Sequence, residues 1–326
     1  MPKIRTTEKP DLSVVIPIYN SANIFPELHK RLIRSLETCV HSFEIIAVLD
    51  GCRDNSREVI GRLSNEDRRI KFIEFSRNFG HQAALTAGLS YASGGLVAII
   101  DDDLEDPPEL LPCFIEKIRE GFDVVYGVRR KRRRSFILRL LYKAFYRMLG
   151  KLVDIKIPYD AGDFCVMTEK VVKVLVSMRE HNRYLRGMRA WTGFNQTGIE
   201  YDRETRFADV SGYSFRKYIA LAFNAIFSFS YKPLKYLTAF GLFISVVSFE
   251  EAFRIIFLKI TNRLPEVPGW AYLSVAMLFL FGILFIALGI MGEYIARIYD
   301  ELKQRPQFVI KTRYGFEEGA NYDNGK

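Results

Sequence analysis

The fold is decided between Leu12 and Asp50, where the sequence reads LSVVIPIYNSANIFPELHKRLIRSLETCVHSFEIIAVLD. Two apolar runs rich in β-branched residues, Leu12–Ile16 and Phe43–Leu49, predict strands, and Pro26–Leu36 between them predicts a helix. Parallel strands need such a crossover, which is usually a helix. The stretch therefore predicts a βαβ unit.

The alternation of strands and helices continues downstream of this unit. Further strands are predicted at Ile70–Phe75, Leu96–Ile100 and Asp123–Tyr126, and a further helix at His81–Tyr91. This order indicates an α/β domain with a mainly parallel sheet, whose ligands bind beyond the carboxyl ends of the strands. The residues that follow each strand are therefore the candidates for a functional site.

Polar clusters directly follow the first four predicted strands. They are Pro17–Asn20, Asp50–Asp54, Ser76–Gly80 and Asp101–Asp103. No G-x-G-x-x-G motif follows the first strand, and no G-x-x-x-x-G-K-[ST] motif occurs in the chain. The sequence therefore argues against a dinucleotide-binding oxidoreductase and against a P-loop nucleotidase.

Three adjacent carboxylates, Asp101, Asp102 and Asp103, end the fourth strand. Carboxylates this close repel one another, so they need a compensating cation. In an extended segment Asp101 and Asp103 point the same way, and such a pair suits Mg²⁺ or Mn²⁺, which keeps water and phosphate oxygens in its shell. The alternative is a solvated acidic turn that caps the helix beginning at Pro107.

The chain of 326 residues carries a net charge of +9, and the excess is concentrated in one segment. Between Val124 and Val153 every charged residue is basic. These residues are Arg129, Arg130, Lys131, Arg132, Arg133, Arg134, Arg139, Lys143, Arg147 and Lys151. A local excess points to one anionic partner and gives little support to nucleic-acid binding. With 49% hydrophobic residues, the composition also excludes a disordered or collagen-like chain.

The 4 cysteines and 4 histidines show neither CxxC pairs nor zinc-ligand spacing. We therefore expect reduced thiols in an intracellular compartment. The first residues, MPKIRTTEKPDL, lack the apolar stretch of a secretory signal, so no cleaved signal is expected.

Two charge-poor segments near the C-terminus predict membrane-spanning helices. Val267–Gly292 has no charged residue and is longer than the ~20 residues that cross a bilayer. Tyr236–Phe249 is shorter, and we place the two spans at about 235–258 and 269–292. A short turn joins them into a hairpin, and the basic residues around it indicate that both ends face the cytoplasm. The alternative for the first span is a buried helix of a soluble domain.

The segment before the first span, Tyr213–Tyr231, is rich in aromatic residues and carries Arg216 and Lys217 near its start. Such a segment predicts an interfacial helix lying on the bilayer, and Pro233 ends the pattern. The alternative is an ordinary core helix.

Five motifs occur in order along the front of the chain. They read PIYN (17–20), LDGCRDNS (49–56), RNFGHQAALTAGL (77–89), DDDLEDPPE (101–109) and VYGVRR (125–130). With the C-terminal hairpin they resemble a family 2 glycosyltransferase of the GT-A fold, in the polyprenyl-phosphate branch that includes dolichyl-phosphate mannose synthases and bactoprenol glucosyltransferases. The resemblance runs from about Leu12 to Arg305. It implies an enzyme that moves a sugar from a nucleotide diphosphate onto a lipid phosphate with inversion.

The resemblance implies a donor site built on the strand ends. The residues it assigns to the nucleotide sugar are Pro17, Tyr19, Asn20, Asp50, Arg77, Asn78, Gly80, Asp101 and Asp102. Asp101 and Asp103 would form the metal-binding D-x-D pair, with Glu105 beside the Mg²⁺ or Mn²⁺ ion. Ser21 stands where the family usually has Glu, and Leu49-Asp50-Gly51-Cys52 replaces the common Asp-Asp-Gly-Ser. Both departures fall in the nucleoside pocket, so the base stays open.

The basic segment acquires a role through the same resemblance. The residues it assigns to the acceptor phosphate are Arg129, Arg132, Arg134, Ser135, Arg139 and Lys143. Arg139, Lys143 and Arg147 also form one stripe of a predicted helix. The alternative for the basic residues is attraction to anionic lipid headgroups.

A phosphate acceptor simplifies the chemistry that the resemblance implies. Its second pKa is about 6, so near neutral pH it is mostly dianionic and attacks without a general base. Catalysis then consists of positioning and of neutralising the departing diphosphate. The residues assigned to catalysis are Asp103, Asp160, Asp163 and Arg206. Arg206 would contact the diphosphate, and Asp160 and Asp163 would orient the sugar or bind metal; their alternative is a turn before a strand.

The leading hypothesis is an enzyme that transfers glucose, or another hexose, from a UDP-sugar to undecaprenyl phosphate. It would be a multi-pass protein of the inner membrane with its catalytic domain on the cytoplasmic side. GDP-mannose is the alternative donor, and a non-catalytic lipid-binding assembly subunit is the alternative from another class. A processive polysaccharide synthase is disfavoured because no Q-x-x-R-W motif occurs. The aromatic first span hints at a homo-oligomer.

The predicted domain boundaries follow from these segments. Residues 1–210 form the GT-A domain, 211–233 the interfacial region, 234–296 the transmembrane hairpin and 297–326 a cytoplasmic tail.

Overall fold

The structure is a computed structural model that describes residues 9–129, 161–180, 183–202, 232–261 and 269–316. Its strands are β1 (Leu12–Ile18), β2 (Phe43–Leu49), β3 (Ile70–Phe75), β4 (Leu96–Ile99), β5 (Val124–Arg129), β6 (Ala161–Thr168), β7 (Gln196–Tyr201) and β8 (Ile310–Tyr314). Its helices are α1 (Phe25–Leu36), α2 (Ser56–Glu66), α3 (His81–Tyr91), α4 (Leu111–Arg119), α5 (Glu169–Ser177), α6 (Leu185–Trp191), α7 (Lys232–Ile260) and α8 (Gly269–Leu302).

The strands of the described residues form one mixed sheet in the order β7-β5-β6-β4-β1-β2-β3-β8. The central strands β4, β1, β2 and β3 run parallel, as their alternation with helices predicts. β6 lies between β4 and β5 and is antiparallel to both, whereas β7 runs parallel to β5. The predicted α/β class with a mainly parallel sheet is confirmed.

The core forms around central strands that are buried on both faces. Every residue of β1 and β2 is buried, as expected for apolar strands covered by helices on both sides. α1 contributes Leu28, Leu32 and Leu36 to this core at i, i+4 spacing. α3 lies so close to β1 that a Cβ at Gly88 would stand 2.2 Å from Val15 Cγ1. This close packing fixes the position of α3 against the sheet.

The C-terminal segment returns to the sheet after the two long helices. β8 pairs antiparallel with β3, Phe308 stacks on Phe75 with ring centroids 5.2 Å apart, and Lys311 pairs with Glu74 at 2.7 Å. These residues belong to the segment predicted as a cytoplasmic tail, 297–326, and the structure pairs part of that segment with the edge of the sheet. The strand reads IKTRY, and so short and polar a segment carries no clear strand pattern.

The chain divides into two compact units, of which the second contains α7 and α8. Each helix includes a stretch of 24 residues that is long and apolar enough to span a membrane, at Lys232–Ile255 and Phe279–Leu302. A helix of this length extends about 36 Å, against a hydrocarbon core of ~30 Å. Their large apolar side chains are exposed, Phe249 and Phe285 among them, as contact with lipid requires. The two helices point to membrane association.

The predicted spans agree with these helices in part. The first, at about 235–258, lies inside α7. The second, at about 269–292, begins where α8 begins, but the stretch found in the structure ends further along the chain, at Leu302. The predicted interfacial helix at 213–231 lies outside the described residues.

Candidate functional site

The carboxyl ends of β1, β2 and β4 lie side by side at one edge of the sheet. The parallel register pairs Ile18 with Leu49 and Val15 with Ile99, so the loops after these strands emerge together. These loops carry the predicted donor and metal residues that follow each strand. The topology therefore brings the polar clusters to one place.

Asp102 is directed toward the loop that follows β1. Its Oδ2 accepts hydrogen bonds from the Tyr19 N–H, at 3.1 Å, and from the Ser21 hydroxyl. Burial raises the pKa of Asp102, and these two hydrogen bonds oppose the rise. Asp102 therefore holds the β1 loop beside the acidic loop. Ser21, which departs from the family pattern, supplies a hydroxyl that this carboxylate uses.

Asp50 holds the loop between β3 and α3. Its buried carboxylate accepts hydrogen bonds from the N–H groups of Phe79, at 2.6 Å, and Gly80, at 2.9 Å. The Asn78 side chain donates to the Asp50 carbonyl oxygen at 3.2 Å. Gly51 has φ 61°, and a Cβ there would stand 2.3 Å from the Asn78 nitrogen. Both carboxylate oxygens of Asp50 thus bond to backbone N–H groups. Asp50 stabilises the loop beside the predicted nucleoside pocket.

Asp50→Asn is expected to destabilise the protein by about 1–3 kcal/mol, because an amide offers one acceptor oxygen to two backbone N–H donors. Thermal unfolding of the purified protein measures this loss, with Glu58→Gln on the exposed side of α2 as the control. An unchanged melting temperature together with weaker nucleotide-sugar binding would instead assign Asp50 a direct contact with the nucleoside.

The remaining predicted nucleoside residues divide into supporting and exposed ones. Pro17 is buried inside β1, and Asn20, with φ 57°, accepts a hydrogen bond from the Arg53 N–H at 2.8 Å. Tyr19 is 49% exposed, and the guanidinium of exposed Arg77 lies 4.1 Å from the centre of a phenylalanine ring. Tyr19 and Arg77 are therefore the exposed members of the predicted nucleoside set.

Asp101 and Asp163 both lie close to His81, just beyond the paired residues Ile99 and Cys165 of β4 and β6. His81, the first residue of α3, places Nε2 3.6 Å from Asp101 Oδ1 and 3.4 Å from Asp163 Oδ2. Arg186 of α6 binds Asp163 through two parallel hydrogen bonds of 2.8 and 2.9 Å. We refer to Asp101, His81, Asp163 and Arg186 as the His81 cluster.

Burial and neighbouring charges shift the pKa values of the His81 cluster in opposite directions. Burial raises the pKa of Asp101 to about 7, against the opposing charge of His81. Burial also acts to raise the pKa of Asp163, but the His81 hydrogen bond and the Arg186 charge outweigh it and lower the pKa. Burial acts to lower the pKa of His81, yet its contact with Asp163 and the charge of Asp101 raise it. Asp163 therefore stays ionised, and Arg186 balances its charge. Asp101 has the weaker counter-charge.

Asp101, Asp103 and Glu105 are the residues predicted to hold a metal. Asp101 Oδ1 is buried and accepts no hydrogen bond, Asp103 accepts one from the Glu105 N–H at 3.1 Å, and Glu105 is buried. In the part of the chain that the structure describes, no three His, Cys, Asp or Glu side chains are grouped as a metal site. Asp101 and Asp103 fit an ion such as Mg²⁺, which takes one or two carboxylates and completes its shell with water and phosphate oxygens.

Arg129 is the predicted acceptor residue that falls within the described residues. Its guanidinium contacts the Asp106 carboxylate and the Tyr201 hydroxyl, each at 3.3 Å, and its side chain is 28% exposed. The other predicted acceptor residues, with two predicted catalytic residues, lie outside the described residues: Arg132, Arg134, Ser135, Arg139, Lys143, Asp160 and Arg206.

The sequence motifs do not single out four residues of this site: His81, Asp106, Arg186 and Tyr201. His81 is the first residue of α3, directly after the polar loop Ser76–Gly80 that follows β3, so its position is a usable signal. Asp106 lies in the acidic motif, but sequence pattern does not show which carboxylates of a motif become buried. Arg186 and Tyr201 carry no local signal, because their partners are distant in the chain.

Comparisons with known proteins give the family of the chain. The model of the family "Glycosyl transferase family 2" matches residues 13–176. The chain is 41% identical to the uncharacterized glycosyltransferase YkcC of Bacillus subtilis (strain 168), over 95% of this chain and 96% of that protein. It is 36% identical to the SfII prophage-derived bactoprenol glucosyl transferase of Shigella flexneri, over 93% of this chain and 98% of that protein.

A solved structure of mannosyltransferase PcManGT from Pyrobaculum calidifontis, in complex with GDP-Man and Mn²⁺, is also similar. It shows 15% identity and a TM-score of 0.46, and the match covers 91% of this chain and 88% of that one. The family model and the curated relatives decide the assignment, and the parallel sheet with its acidic loop agrees with them. The chain belongs to glycosyl transferase family 2 and is a glycosyltransferase with the GT-A fold.

Proposed function

We propose that the protein transfers a hexose onto undecaprenyl phosphate with inversion. The first candidate for the sugar is glucose, donated by UDP-glucose. The observation that carries the proposal is the acidic loop Asp101–Asp106 at the end of β4, where Asp102 bonds to the N–H of exposed Tyr19. Bactoprenol glucosyl transferases of Shigella phages SfII, SfV and SfX, at 36% identity, support a polyprenyl-phosphate acceptor.

On the donor side, Asp101 and Asp103 would hold a divalent ion, with Glu105 beside it. When bound, the ion supplies positive charge to the departing diphosphate. Tyr19 and Arg77 would face the nucleoside, together with the loop of Asn78 and Gly80. Asn20, Asp50 and Asp102 would keep the surrounding loops in place, because their hydrogen bonds are to backbone N–H groups. Pro17, buried inside β1, would support the same loops from the strand.

On the acceptor side, the lipid phosphate itself is the nucleophile. As a dianion it needs no general base, so the protein's task is to bring its oxygen to the anomeric carbon. We assign this task to Arg129, and with it to Arg132, Arg134, Ser135, Arg139 and Lys143. Arg206 would neutralise the diphosphate, and Asp160 and Asp163 would orient the sugar.

The lipid acceptor gives a reason for the membrane helices. We propose that residues 234–296 form a transmembrane hairpin in the inner membrane and that residues 211–233 lie at its surface. The catalytic domain, residues 1–210, would then face the cytoplasm, where nucleotide sugars are made. The exposed aromatic side chains of α7 also suit contact with a second copy of the chain.

GDP-mannose is the second candidate donor. Asp50, at a position that the family resemblance places in the nucleoside pocket, gives both carboxylate oxygens to backbone N–H groups. Asp50 therefore has no carboxylate oxygen left to distinguish uracil from guanine, and other groups would select the nucleotide base.

The test is a transfer assay with the purified full-length protein in detergent. It combines undecaprenyl phosphate and Mg²⁺ or Mn²⁺ with radiolabelled UDP-glucose, UDP-galactose or GDP-mannose in turn, with and without EDTA. We expect a labelled lipid from UDP-glucose that disappears with EDTA. If labelled lipid forms only from GDP-mannose, then GDP-mannose is the donor and UDP-glucose is not. If none of the three donors gives labelled lipid, the proposed function is rejected.

A further inference from the structure

Asp106 is a wholly buried carboxylate at the end of the acidic loop. Its exposed fraction is 0%. Its Oδ1 accepts a hydrogen bond from the Tyr201 hydroxyl, and its Oδ2 lies 3.3 Å from Arg129 Nη2. The Tyr201 hydroxyl also accepts a hydrogen bond from Arg129 Nε at 3.3 Å. The three side chains form a closed triangle, which we call the Asp106 clamp.

The Asp106 clamp joins three separate parts of the chain. Asp106 belongs to the loop that carries Asp101 and Asp103, whereas Arg129 and Tyr201 are the last residues of β5 and β7. The parallel register of β5 and β7 places Arg129 beside Tyr201. One carboxylate therefore fixes the acidic loop to the ends of two neighbouring strands.

Two glycines beside the clamp leave room for the side chains of Tyr201 and Arg129. A Cβ at Gly127 would stand 2.6 Å from Tyr201 Cε1, and a Cβ at Gly162 would stand 3.4 Å from Arg129 Nη2. The Tyr201 ring also meets Phe164 edge to face, at 5.9 Å between centroids. Packing and hydrogen bonds together restrict the tyrosine and the arginine to this arrangement.

The arginine of the clamp is only partly enclosed. Asp106 is fully buried, whereas the Arg129 side chain keeps 28% of its surface exposed. A buried carboxylate that holds one side of a guanidinium sets its direction, because the planar group bonds in a fixed geometry. The exposed side of Arg129 is then oriented from the end of β5 before any ligand arrives.

We propose that Asp106 and Tyr201 are positioning residues that aim Arg129 at the acceptor phosphate and tie it to the donor loop. The inference rests on the proposed function, since the phosphate is the ligand of Arg129 there. Binding then benefits from an arginine that is already ordered, because less side-chain freedom is lost when the lipid arrives.

Tyr201→Phe tests the inference by removing one hydroxyl from the clamp. In the transfer assay we expect the KM for undecaprenyl phosphate to rise roughly fivefold to tenfold, while the KM for the sugar donor stays within about twofold. Asp106→Asn, which also removes the charge, should shift the same KM further. Tyr126→Phe on β5 is the matched control, and it should leave both KM values unchanged.

A merely structural role would change both KM values together or lower the melting temperature without a selective acceptor defect. Either result for Tyr201→Phe, or an unchanged acceptor KM, would overturn the inference. Failure of the proposed function is seen separately, because the wild-type protein would then form no labelled lipid. If Asp106→Asn does not fold, the comparison of Tyr201→Phe with Tyr126→Phe still decides.

Discussion

Asp103→Asn is expected to reduce sugar transfer by roughly a thousandfold, the scale on which lost charge stabilisation affects catalysis. The asparagine oxygen still accepts the Glu105 N–H, which Asp103 binds at 3.1 Å, so the loop keeps its conformation. What is lost is one of the two charges proposed to hold the divalent ion. Initial rates with UDP-glucose measure the loss, and calorimetric titration with Mn²⁺ measures the weaker ion binding.

Asp102→Asn is the matched control for this experiment. Its carboxylate lies in the same loop but bonds to the Tyr19 N–H and the Ser21 hydroxyl. We expect a rate within about tenfold of wild type, because the asparagine oxygen can still accept both hydrogen bonds and only their charge assistance is lost, and an unchanged Mn²⁺ affinity. Equal losses in the two variants, or an Asp103→Asn enzyme that keeps most of its rate, would reject the metal role of Asp103.

Arg186→Met is expected to destabilise the sheet domain by about 3–5 kcal/mol, because it leaves the Asp163 carboxylate buried without its main counter-charge. Asp163 is 4% exposed and binds Arg186 through two hydrogen bonds. The melting temperature should fall by roughly 10 °C on this account. Thermal unfolding of the purified full-length protein measures the change.

The double variant Arg186→Met/Asp163→Asn separates stability from catalysis. Removing the buried charge together with its partner should recover most of the lost stability. If Asp163 also orients the sugar, as proposed, the double variant stays poorly active although it is folded. A double variant as unstable as Arg186→Met would show that the ion pair is not the cause of the loss.

The parallel half of the fold follows from local sequence pattern. Apolar runs such as Leu12–Ile16 and Phe43–Leu49 are long and buried, and each is followed by a polar loop, so strand ends and candidate residues are predicted together. β7 and β8 are different. They are half exposed and lack a continuous apolar run, and their pairing with β5 and β3 depends on contacts far along the chain. The local sequence pattern does not predict strand pairings between such distant segments.

The site could be predicted as a set of residues but not as a set of roles. The D-x-D pattern identifies Asp101 and Asp103, yet it does not show that Asp102 and Asp50 bond to neighbouring loops. Those roles depend on where backbone N–H groups point, which is set only when the loops pack. Tyr201 and its partner Asp106 are 95 residues apart, so their contact has no sequence signature.

The position of β8 restricts how the chain can be threaded through a bilayer. β7 precedes α7 and α8, β8 follows them, and both strands belong to the same sheet. A folded sheet lies on one side of a membrane, so the chain between Tyr201 and Ile310 must cross an even number of times. An even number of crossings excludes a single membrane-spanning helix. If both helices cross the membrane, as proposed, deleting one of them would place β8 on the opposite side of the bilayer, and β3 would lose its pairing with β8.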